Sequence, residues 1–386
     1  MIAENKSSII FGISIKTVFK YLFIFSCSVF IAHFCLTIFN GGNDWQQGDW
    51  LINNHGITIR RGMLGSAIFM LSDLINVNPL NFLYVLQAGI LFFLFSNFYK
   101  IMELLLKLHD EFILLITSSS FFLIYWASAP LVGLRKEALV FLAVSCLLVW
   151  GIRKNDFFLW ISCIICALGI LGHEANILFL PAFIYIFFIF TDGKLKASYL
   201  WPYTIIIIAS FYTAWITVIH TTANPKLVCD ELLSRGLSER LCGGAINYLS
   251  TSSADAFNSY KSYIRIQGLI VFPIAYIMGA LASFYFIYLS NIRKQLVTLY
   301  VLTALPFFPL YIIAFDWGRW ASFHLSSFAF IIMALGLKAR VSFIKRMSPK
   351  ALKALIALAL LISISSGVNI IEGGLVKSFF KLFMDL

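Results

Sequence analysis

Runs of 15 to 25 apolar residues recur along most of this 386-residue chain, each close to the ~20 residues that a helix needs to cross a bilayer. That recurrence limits the fold more than any other feature. Inside hydrocarbon every backbone N–H and C=O must find a partner within the protein, which leaves helices or a closed barrel. No run alternates apolar and polar residues as barrel strands do. An all-α, polytopic membrane protein is therefore expected, as a single membrane domain over 1–386. Composition agrees: 60% of residues are hydrophobic and 12% charged, against about 25% charged in soluble domains.

The spans read 18–39, 80–99, 112–130, 138–151, 156–172, 175–191, 199–219, 266–290, 296–314, 320–337 and 353–371, about eleven in all. Lys6, Lys16 and Lys20 lead into the first run, but no small-residue cleavage site follows it, so it reads as a retained first helix. With the N-terminus inside, the basic connectors Arg153-Lys154, Lys194/Lys196 and Arg293-Lys294, with the run from Lys338 to Lys353, all fall on the cytoplasmic side. Counted by side, 17 basic and 6 acidic residues lie inside and 12 of each outside, so the whole net charge of +11 sits on one face. Basic anchors explain that charge without nucleic acid, because no basic stripe interleaved with aromatics marks a soluble domain. Gly62–Asn76 is apolar but only 15 residues long, about 22 Å as a helix. Making it a span would invert every later loop. It is expected as a juxtamembrane helix inside the first periplasmic loop, 40–79. The longest polar stretch, 220–265, forms the large periplasmic loop. Its Cys229 and Cys242 can close a disulfide or remain two thiols.

In this threading four charge clusters reach the same outer face: His55/Arg60/Arg61, Arg135-Lys136-Glu137, His173-Glu174 and Asp316-Trp317-Gly318-Arg319. Charge near hydrocarbon is costly, so a set that recurs on one face is a candidate site. The first outer loop adds Asp44-Trp45 and Asp49-Trp50. A carboxylate there can accept a proton from a sugar hydroxyl, and Trp45, Trp50 and Trp317 can stack on sugar rings. The same residues would also serve as helix caps and interfacial aromatics. Paired guanidiniums at Arg60 and Arg61 suit a phosphate or pyrophosphate. Arg135, Lys136 and Glu137 stand where a short following span must sink them below the outer surface, as a site or as a snorkelling turn. His173 and Glu174 can act as a general base or cap the next helix. Asp316 and Arg319 can bind substrate or pair with each other. No HExxH or paired-cysteine spacing calls for a metal, and no cofactor motif is present.

The first span, the acidic outer loop beside it and the juxtamembrane helix together resemble the GT-C membrane glycosyltransferases. The stretch from Gly133-Leu-Arg135-Lys136-Glu137 to Gly172-His173-Glu174-Ala-Asn176 and Pro181 resembles Wzy-type (EpsG-like) polymerases of O-antigen and capsular polysaccharide. The resemblance implies a GT-C-like fold and a glycosyltransferase of the bacterial inner membrane with a periplasmic active site. Its substrate would be a saccharide on polyprenyl pyrophosphate, in lipopolysaccharide or capsule assembly, with a chain-length regulator protein as partner. By that resemblance Asp44 or Asp49 is catalytic, and Arg135 grips the pyrophosphate with Arg60, Arg61 or Arg319. Polymerases often carry two sizeable outer loops where this chain has one, which leaves a GT-C single-sugar transferase open. A lipid-linked oligosaccharide flippase is the rival from another class, although no internal repeat supports it.

Overall fold

The computed structural model describes residues 9–10, 13–54, 58–116, 134–219, 222–252, 255, 258, 266–313 and 317–364. The chain runs as α1 (Ile15–Phe39), α2 (Gly62–Leu74), α3 (Pro79–Leu108), α4 (Glu137–Arg153), α5 (Asp156–Gly172), α6 (Leu180–Thr191), α7 (Ala197–Ile219), α8 (Pro225–Ser234), α9 (Ile266–Leu289), α10 (Arg293–Ala304), α11 (Trp317–Leu337) and α12 (Pro349–Ile364). A two-residue antiparallel hairpin, Ile9–Ile10 with Ile13–Ser14, precedes α1. The helix starts are written locally. Asn78 accepts from the Leu80 N–H with Pro79 at the first helical position, and Asn224 does the same before Pro225. Lys154 and Asp192, in left-handed backbone, close α4 and α6.

The architecture is all-α and of membrane character. Among the described residues five helical stretches are long and apolar enough to cross a bilayer: Ile15–Phe39, Pro79–Leu108, Glu174–Thr191, Ala197–Ile219 and Trp317–Leu337. Eleven such helices are not found. The expected span 296–314 breaks into α10, a tight turn at Leu305–Phe307 and a short helix at Phe308–Ile313, with Pro306 and Pro309 at the breaks. The span 112–130 begins as a tight 3-10 turn at Asp110–Leu115 and then leaves the described residues. The 17-residue α4 and α5 are shorter than a full crossing at 1.5 Å per residue. Gly62–Leu74 does form the short separate helix expected there.

Burial sorts the helices. In the most apolar window of α11, 94% of residues are buried, against 22% in α1 and 28% in α7. α4 is buried along its length from Glu137 to Gly151. These two helices form the centre, with α5 and α6 packed beside them. Trp201, Phe211 and Trp215 of α7 and Phe92 and Phe93 of α3 stay exposed, an apolar exterior suited to lipid.

The bundle has chemically different ends. At the C-terminal ends of α4, α6 and α11, Lys154 donates to the Phe190 carbonyl, and Lys338 and Arg340 both pair with Asp192. At the N-terminal ends of the same three helices stand Lys136-Glu137, Glu174 and Arg319. Lys154, Lys338 and Arg340 thus lie at the opposite ends of these helices from Lys136, Glu137 and Arg319.

Candidate functional site

The site is assembled at those N-terminal ends. A helix N-terminus carries positive partial charge, so Glu137 in the first turn of α4 is favourably placed, while Glu174 opens the 3-10 turn Glu174–Phe179 that leads into α6. An extended backbone at His173 ends α5 and turns both His173 and Glu174 inward. Arg61, in left-handed backbone, precedes α2. Gly172 lies close beside them: a Cβ there would meet Leu64 Cδ2 at 3.0 Å and Lys136 Cδ at 3.2 Å, so both side chains would have to give slightly.

Three charged groupings touch one another. Glu174 takes a bidentate grip from Arg61, with Nε to Oε2 at 2.8 Å and Nη2 to Oε1. Burial opposes the Arg61 charge, but Glu174 beside it holds the guanidinium's pKa above its ordinary value. Glu137 Oε1 accepts from Arg319, whose guanidinium also lies over the Trp320 ring at 4.8 Å. Asp49, with 0% exposure, lies 3.8 Å from Lys136 Nζ and 4.0 Å from Arg135 Nε. Lys136 links the groupings by donating to the Arg61 carbonyl at 3.2 Å. Its side chain is fully buried, and that burial pushes its pKa down to about 8 against the pull of Asp49.

The geometry separates the four candidate bases. His173 Nδ1 accepts from the Ala175 N–H at 3.1 Å, and its Nε2 lies 3.2 Å from Arg319 Nη2 and 3.8 Å from Glu137 Oε1. The imidazole is held neutral, its pKa lowered by burial first and then by Arg61, Arg319 and Arg135. Both of its ring nitrogens already face a donor. Glu174 is held by Arg61. Asp44 accepts from its own loop at the Trp45 N–H, and its Oδ2 lies against the Gly243–Gly244 backbone. Only Asp49 has both carboxylate oxygens buried without a hydrogen bond, an arrangement costly enough to need an explanation.

The remaining sequence candidates fall around this centre. Arg60 reaches the Tyr248 and Thr251 carbonyls at 3.1 and 3.4 Å and so braces the outer lobe. Trp45 lies between Tyr248, at 5.3 Å between rings, and the Arg135 guanidinium, 5.4 Å from its centroid. Trp50 is not placed to stack on a sugar. It is 1% exposed, and its indole N–H donates to the Leu134 carbonyl at 2.7 Å. Trp317 donates to the Tyr311 carbonyl at 2.9 Å. His55 and Asp316 lie outside the described residues.

Sequence reasoning missed the support beneath these groups. Gln87, a lone amide within an apolar run, receives from Gln47 at 2.8 Å and donates to the Leu134 carbonyl at 3.3 Å. With Trp50 it fixes the chain just before Arg135. The Cys229–Cys242 disulfide closes the lobe at 222–252, which seats Leu241 on the first loop. A Cβ at Gly48 would meet the Leu241 carbonyl at 2.5 Å. Among the described residues no group of three His, Cys, Asp or Glu is placed to hold a metal ion. Comparisons of the chain with protein-family models, curated proteins and solved structures gave no match.

Proposed function

We propose that this chain is a glycosyltransferase of the bacterial inner membrane, acting at the periplasmic face on polyprenyl-(pyro)phosphate-linked saccharides in surface polysaccharide assembly. A repeat-unit polymerase of the Wzy kind is the first reading. The observation that carries it is Asp49, a buried carboxylate without a hydrogen bond, beside Lys136 and Arg135. A base and an anion grip are what transfer from a polyprenyl pyrophosphate needs. The acceptor hydroxyl gives its proton to Asp49 as its oxygen bonds the anomeric carbon. The bond from that carbon to the pyrophosphate oxygen breaks, and the leaving group keeps the electron pair. Lys136 and Arg135 stabilise the charge that develops, so no general acid is required. Arg319 and Glu137 orient these groups, and the Arg61–Glu174 pair holds the backbone to which Lys136 is bonded.

Complementation of a polymer-deficient strain tests this. Asp49→Asn at normal protein level is expected to abolish long surface polysaccharide, and Asp44→Asn to retain it. Full-length chains from Asp49→Asn sink the proposal. Accumulated single repeats identify a polymerase, whereas truncated repeats identify a single-sugar transferase.

A further inference from the structure

The lobe at 222–252 is tied to itself and then pressed onto the first loop. Within it, the Cys229–Cys242 disulfide joins α8 to the turn Glu239–Cys242, and the Ala223 N–H donates to the Leu249 carbonyl at 2.9 Å. A unit this small buries too little apolar surface to hold its shape unaided, and a disulfide supplies what the core lacks. Leu241, the neighbour of Cys242, is 0% exposed.

Two contacts carry the lobe to the charged cluster. The first runs to Asp49. The Leu241 carbonyl lies so near Gly48 that a Cβ there would stand 2.5 Å from it, and Leu241 Cδ2 would stand 2.9 Å from a Cβ at Gly42. Glycine at 48 therefore lets Leu241 press on the turn Gln47–Trp50, which carries Asp49. The second runs to Arg135. The Tyr248 ring packs on Trp45 at 5.3 Å, and the Arg135 guanidinium lies 5.4 Å from the Trp45 centroid.

Asp49 has particular need of such support. Its carboxylate accepts no hydrogen bond, and Lys136 and Arg135 stand at 3.8 and 4.0 Å, beyond hydrogen-bond reach. The side chain is therefore placed by the backbone of its turn. Hydrogen bonds hold that turn on two sides, from Gln47 to Gln87 and from Trp50 to the Leu134 carbonyl. Leu241 bears on it from the lobe. We infer that the disulfide-closed lobe is a positioning element for the site: Leu241 sets the turn that carries Asp49, and Tyr248, through Trp45, sets Arg135. The effect on activity rests on the transfer reading above; the placement of the turn does not.

Hydrogen exchange of the full-length protein in nanodiscs, read by mass spectrometry, tests the placement. Cys229→Ser with Cys242→Ser is expected to speed exchange over 44–52 about tenfold, besides exchange in the lobe itself, with 317–337 unchanged. Gly48→Ala keeps the disulfide, and its Cβ must push Leu241 away. It is expected to speed exchange over 44–52 to a similar degree, and to add under about twofold once the disulfide is gone, because Leu241 is then already released. Unchanged exchange over 44–52 in either variant, or effects that multiply, overturns the inference. Complementation of the polymer-deficient strain tests the second contact. Tyr248 is 51% exposed, so Tyr248→Ala leaves the lobe folded. It is expected to cut long surface polysaccharide about tenfold at normal protein level, as loss of a positioning contact does, and Tyr248→Phe, which keeps the ring, to restore it. Full output from Tyr248→Ala, where Asp49→Asn abolishes polymer, overturns the link to Arg135. Full output from Asp49→Asn sinks the transfer reading instead, and the exchange experiment then decides the placement by itself.

Discussion

The Arg319–Glu137 contact lends itself to a double-mutant cycle. Both side chains are 4% exposed and they meet at the N-terminal ends of α4 and α11. Glu137→Gln leaves a buried guanidinium facing a neutral amide, and Arg319→Met leaves the Glu137 carboxylate without its hydrogen-bonding cation. Breaking a buried pair from one side costs about 3–5 kcal/mol, so the two single losses would sum to roughly 6–10 kcal/mol if independent. The double variant removes both charges, so the part of each single loss that comes from an uncompensated buried charge is recovered, although a buried neutral amide remains. It does lose the guanidinium stacked on Trp320, worth about 1–2 kcal/mol when desolvated. The double variant is therefore expected to be more stable than either single variant, with a coupling of several kcal/mol. Unfolding of purified protein in mixed detergent with increasing SDS measures all four corners. Additivity within about 0.5 kcal/mol would show that the two residues do not act as a pair.

Lys136 makes two predictions of opposite sign. Its pKa is lowered from 10.5 to about 8, so the folded protein binds this proton less tightly than the unfolded chain does. The cost of burying the charge is fully present below pH 8, and stability from this group rises as pH climbs from about 8 to 10.5. Affinity for a polyprenyl pyrophosphate needs the ammonium, so it is expected to fall about tenfold per pH unit above 8, read by titration at pH 7, 8 and 9; a flat profile removes Lys136 from the anion grip. The Cys229–Cys242 disulfide closes a short loop, so Cys242→Ser should cost about 3 kcal/mol. The loss should appear as faster hydrogen exchange over 222–252, with α4 and α11 unchanged; equal exchange in the lobe would show that the bond does not hold it.

Much of the site was legible because burying charge leaves so strong a mark on sequence. Arg135-Lys136-Glu137 and His173-Glu174 stood at the boundaries of apolar runs, and the structure brings them together with Asp49, Arg61 and Arg319. The short separate helix at Gly62–Leu74 was legible from its length. The number of spans was not, because hydropathy cannot tell a lipid-facing helix from one buried in protein. α4 is as apolar as a span but is a short core helix, and 296–314 is cut by two prolines whose effect an average conceals. Roles were harder still. Trp50 reads like a sugar platform, and only the fold reveals its indole bonded to Leu134. Gln87 and Gly48 act through partners 40 or more residues distant, which no local pattern can signal.

The division of charge between the two ends of the bundle follows from one construction. α4, α6 and α11 run parallel in sense, each beginning at the site and ending at the basic connectors. Their N-termini give the site positive partial charge without side chains. Glu137, in the first turn of α4, therefore adds a favourable helix end to its arginine partner. Asp49 has no such share: it comes from the four-residue helical turn Gln47–Trp50, lies opposite Lys136 and Arg135, and its carboxylate accepts no hydrogen bond. A carboxylate retained there gains its stability only from nearby cations, and those same cations would be drawn to any anion that enters. The residue least supported by the fold is thus the one most sensitive to a ligand, which is why Asp49 rather than Glu137 or Glu174 is the position where substitution should separate activity from folding.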